Sequence, residues 1–60
     1  MKRYFYTASA GPMFNWAYET TAQSETAANA EAKIELEQNL GLYGFEVRQL
    51  DSFNLVAVTF

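Results

Sequence analysis

Ser9, Ser24 and Ser52 are the serine hydroxyls through which this chain could act as a nucleophile. A serine needs an adjacent base to take its proton, and the sequence contains no histidine and no cysteine. The same absence removes thiol catalysis, disulfides and the usual zinc ligands. Glu31 and Glu35 are paired carboxylates four residues apart. General acid–base work needs carboxyls whose proton affinity burial or a neighbour has moved, and these two sit in a polar run that reads as an exposed helix. There is no G-x-G-x-x-G and no P-loop. Gly41 and Gly44 flank a helix exit, not a phosphate cradle. The expectation is a non-enzymatic chain with no cofactor and no metal.

The aromatic residues are the other source of chemistry. Six of the ten, Tyr4, Phe5, Tyr6, Phe14, Trp16 and Tyr18, lie in the first third. Exposed on a sheet, two or three of them could stack unpaired bases, with Lys2, Arg3 and Arg48 on the phosphates. Stacking platforms sit in basic grooves, however, and this chain has four Lys and Arg against seven Asp and Glu, a net charge of −3. Nucleic acid is therefore the alternative partner and protein the expected one. The aromatics are either core or contact surface. Tyr4, Tyr6 and Tyr18 are the candidates for a contact, since tyrosine is enriched at interface hot spots.

The elements that position these residues are set by punctuation and composition. Gly11-Pro12 is a turn, and residues 3–7 and 14–21 around it, rich in aromatic and β-branched types, read as an antiparallel hairpin. Met1-Lys2-Arg3 ahead of Ala8-Ser9-Ala10 imitates a secretory signal, but the apolar stretch between them is too short for one. From Ser24, SETAANAEAKIELEQNLG is made of good helix formers. Ser24 suits the N-cap and Glu25 the first turn. Gly41 is expected to take the left-handed position that ends the helix, with Leu42 folding back on Leu36. After Gly44 the pattern alternates again. The Asp51-Ser52 turn signal divides it into strands over residues 45–50 and 53–60, or one long strand bends at a bulge. Residues 53–60 are apolar on both faces, as in an inner strand or one that a partner covers.

The fold class is thus α+β, a single domain over residues 1–60, ββαββ or ββαβ, with one helix on one face of an antiparallel sheet. On the helix, Ala28, Ala32, Leu36 and Leu40 form the better core stripe. Ala27, Ala30 and Ile34 lie almost opposite and could admit a second subunit closely. Glu25, Glu31, Glu35 and Glu37 against the single Lys33 make an acidic ridge suited to a basic or nucleic-acid-binding protein. Sixty residues with no covalent staple bury only about 60% of the unfolded surface, which favours a homodimer. No apolar run spans a membrane, and the expected location is the cytoplasm.

In size, acidic cysteine-free composition and layout, the chain resembles the very small accessory proteins of bacteriophages and mobile elements, the anti-CRISPR inhibitors among them. That resemblance implies stoichiometric inhibition in the host cytoplasm, by occluding a host protein or complex. It carries over no site residue. The candidate partner-binding residues remain Glu31, Ile34, Glu35, Tyr4, Tyr6 and Tyr18. A structural subunit of a larger assembly is the third reading.

Overall fold

The Gly11-Pro12 turn closes the predicted hairpin. In the computed structural model, which describes residues 1–60, β1 (Lys2–Ala10) and β2 (Phe14–Ala22) pair antiparallel from Lys2↔Ala22 to Ala10↔Phe14. Gly11 stands at φ +62°, a left-handed conformation that glycine adopts without penalty. The helix α1 (Glu25–Leu42) follows β2 after a connection of two residues, Gln23 and Ser24. Ser24 caps it as expected, its Oγ accepting the Ala27 N–H at 3.2 Å.

The helix ends later than its first glycine suggests. Gly41 lies inside the last turn, and Gly44, at φ +79°, takes the left-handed position. The Gly44 N–H donates to the Gly41 carbonyl at 3.2 Å and the Phe45 N–H to the Leu40 carbonyl at 2.8 Å. These are the two bonds of a Schellman cap, completed by Phe45 packing near Leu40. Leu42 stays exposed and does not fold back on Leu36.

The cap also sets the path of the chain beyond the helix. Residues 45–50 form no strand; Val47–Gln49 is a single 3₁₀ turn. The Glu46 N–H donates to Gln49 Oε1 at 2.7 Å, the Gln49 N–H to the Glu46 carbonyl at 2.9 Å and the Leu50 N–H to the Val47 carbonyl at 3.1 Å. Local partners thus consume donors that a sheet ladder would need. The strand β3 (Ser52–Thr59) starts where a turn was expected, because the Asp51 N–H reaches the Ser9 carbonyl at 2.8 Å. The layout is therefore ββαβ, with sheet order β2-β1-β3 and every pair antiparallel. Between the pairs Phe5↔Ala57 and Tyr6↔Leu55 the register slips, leaving Val56 as the extra residue of a β-bulge.

The core lies between α1 and one sheet face, and residue sizes alternate reciprocally across it. At one end the sheet supplies Tyr4 and Tyr6 while the helix supplies Ala28 and Ala32. At the other the helix supplies Leu36 and Leu40 over Ala8 and Ala10, with Phe14 beside them. Large faces small at both ends, as close packing demands. The Ala28/Ala32/Leu36/Leu40 stripe is the buried one, as the sequence predicts.

Candidate functional site

The tyrosines separate in a way that the sequence did not predict. Tyr4 and Tyr6 are 4% and 2% exposed, so both are core residues and neither can touch a partner. The alanines above them leave the room that two rings need. The Tyr6 hydroxyl donates to Asn29 Oδ1 on the helix, which satisfies the polar tip at the edge of the core. Burial pushes the Tyr6 phenol above its ordinary 10.0, with Glu25 and then Tyr4 adding to the shift by charge. Tyr18 is half-buried at the margin, stacked on Trp16 with ring centroids 5.4 Å apart.

The sheet face without the helix is polar and nearly free of aromatics. Phe5 is its one aromatic among the strands, half-buried. Arg3 lies 3.6 Å from Glu19 in an exposed ion pair. Ser9 and Ser52 place their hydroxyl oxygens 2.8 Å apart. A base-stacking platform needs several exposed rings beside free cations, whereas Tyr4 and Tyr6 are buried beneath the helix.

On the helix, Glu31, Ile34 and Glu35 are neighbours at i, i+3 and i+4. Glu31 accepts from the Thr20 hydroxyl at 2.5 Å, which turns it toward β2. Glu35 is half-buried and Ile34 is 57% exposed. No three acidic side chains converge closely enough to hold a metal ion.

The surface that sequence reasoning did not assemble lies on the other flank of α1. The helix packs over β2 and β1 and leaves β3 largely uncovered. Between helix and strand runs an apolar groove of about 200 Å³, lined by Leu36, Val47, Leu50 and Phe53 and rimmed by Lys33 and Glu37. Continuing along β3, Val56 and Val58 are exposed, and Phe60 is 96% exposed with the Lys2 ammonium 4.8 Å from its ring centre. The signal in the sequence was the two-faced apolar character of residues 53–60. The groove itself was hidden because Val47 and Leu50 read as members of a strand.

No family model matches the chain, and neither a curated protein nor a solved structure matches it. No helix is long and apolar enough to cross a membrane.

Proposed function

We propose that this chain is a non-enzymatic protein-interaction module, and that the uncovered strip along β3 with its adjoining groove is its contact surface. The observation that carries the reading is the contrast between the two edges of one small sheet. β2 holds Glu19 at its edge and is tied to the helix through Thr20 and Glu31. Residues 52–60 contain no charged residue, no proline and no glycine, and they leave Val56, Val58 and Phe60 in water. Natural edge strands are normally blunted by charge, proline, a β-bulge or cover, and of these β3 has only the bulge at Val56. Single exposed apolar residues are ordinary, but three of them on one edge strand beside an apolar groove favour a protein contact. Such a module acts by stoichiometric occupancy. The likeness in size and layout to small phage and mobile-element inhibitors supports occlusion of a host protein as its mode, and the acidic helix ridge would suit a basic one.

Site-specific photo-crosslinking in cells tests this. A benzophenone amino acid replacing Val56 should capture protein, whether another copy or a different chain, while the same group replacing Thr21 on the open face should not. Capture at Thr21 alone, or at neither position, would overturn the assignment.

A further inference from the structure

The β3 edge carries an alternation of apolar and polar residues that can be read against itself. We propose that a second copy occupies it, two β3 strands pairing antiparallel about a two-fold axis into a six-stranded sheet of order β2-β1-β3-β3-β1-β2. The inference rests on the reading of β3 as the contact surface and names the partner there.

Three observations favour a second copy over an unrelated chain. The first is register. The bulge at Val56 puts Phe53 and Leu55 on the helix side before it, opposite Ala8 and Tyr6, and returns Val58 to that side after it, opposite Tyr4. An antiparallel pairing centred between Val56 and Ala57 sets Leu55 of each copy opposite Val58 of the other, both on the helix side. It also sets Phe53 opposite Phe60, and Asn54 opposite Thr59 on the open side. Apolar therefore meets apolar and polar meets polar along the whole strand. A one-residue slip would set Leu55 opposite Ala57, on the other face, and break the match. A two-fold axis normal to the sheet keeps both helices on the same side, flanking the joined apolar strip.

The second observation is charge. Each chain carries a net −3, so two copies repel wherever their acidic groups meet. Residues 52–60 are the longest stretch beyond the hairpin with no charged side chain, and the pairing brings no side-chain carboxylate opposite another.

The third is area. A standard interface covers about 800 Å² per partner, roughly a fifth of this chain's 4158 Å². Phe60 alone can contribute on the order of 150–250 Å² when covered. Val47, Val56, Val58, the groove and the unpaired backbone of the eight-residue strand supply the remainder.

Sedimentation velocity on the full chain at 10–100 µM (on the order of the weak-dimer range) tests the proposal, together with two sets of variants. The wild type should sediment as a dimer, twice the 6.8 kDa chain mass. Val56→Lys and, separately, Val58→Lys should weaken dimerisation at least tenfold, with circular dichroism unchanged because both positions are exposed in the single chain. Because the chain has no cysteine, Asn54→Cys and Thr59→Cys proteins can be mixed and oxidised. The mixture should form a disulfide between chains faster than either variant alone. A monomeric wild type, a dimer indifferent to both lysines, or no preference for the mixed disulfide would each overturn the inference. If the wild type is monomeric while the Val56 photo-crosslinker still captures a different protein, the interaction-module reading stands without self-pairing. Capture of nothing would remove both.

Discussion

Phe53 of the edge strand lies flat against Tyr6 of the central strand, ring centroids 5.6 Å apart and planes 11° from parallel. The Tyr6 hydroxyl in turn donates to Asn29 on the helix. One side chain thereby ties β3, β1 and α1 together, in a core of ten buried residues. A domain of this length has about 3–9 kcal/mol of total stability at 0.05–0.15 kcal/mol per residue. Tyr6→Ala, at about 3–5 kcal/mol for a buried aromatic, should therefore remove most of it in urea titration. Tyr6→Phe keeps the ring and should cost about 1 kcal/mol. A double-mutant cycle with Asn29→Ala should return a coupling near that value. Strict additivity of the two single changes would show that the hydrogen bond contributes nothing.

The same residue makes a prediction about alkali. Its phenol is held above the ordinary 10.0, so the folded state binds the proton more tightly than the unfolded one. The stabilisation linked to this group is fully present below the unfolded value of 10.0 and is lost as pH rises from there through the folded value. Stability measured across that window should fall with pH in the wild type, and Tyr6→Phe should remove the Tyr6 share of the slope. An unchanged slope in the variant would show that Tyr6 ionises equally in both states.

Reciprocal packing gives a third test. Ala32 is fully buried in the cluster that contains Tyr4 and Tyr6. Ala32→Leu raises helix-core hydrophobicity yet should destabilise by about 1–3 kcal/mol, since a closely packed site has no space for added methylenes. Leu36→Ala, one turn on, should cost about 2–5 kcal/mol by the opposite route, a cavity. If Ala32→Leu stabilised the domain, the tyrosines would not fill the room beneath that turn.

Local signals made much of the architecture legible. Ser24, the Ala28-to-Leu40 stripe and Gly11-Pro12 each act through bonds or spacings within a few residues, and each appears where the sequence places it. What failed depended on competition between neighbours or on contacts far along the chain. Residues 45–50 alternate like a strand, but the turn after Gly44 and the Gln49 side chain hold their backbone in local bonds. Tyr4 and Tyr6 could be assigned to the core only by knowing that alanines, not leucines, pass above them. The groove beside β3 needs the strand order β2-β1-β3, which no local pattern encodes. Those are the same facts on which the candidate contact surface rests.

The two glycines near the helix end distinguish the observed cap from the one the sequence first suggests. Gly41 is helical, and a methyl group placed on it would meet nothing within 4 Å. Gly41→Ala should therefore stabilise the domain by about 0.5–1 kcal/mol, the conformational penalty that glycine carries inside a helix. Gly44 has equally open surroundings but stands at φ +79°. Gly44→Ala should cost about 1–2 kcal/mol because the left-handed backbone crowds a Cβ, whatever space lies beyond it. Asparagine at that position should cost less than alanine. Thermal or urea unfolding of the three variants should place Gly41→Ala above the wild type and Gly44→Ala below it. The reverse order would mean that the helix ends at Gly41, and that Phe45 is not anchored on Leu40.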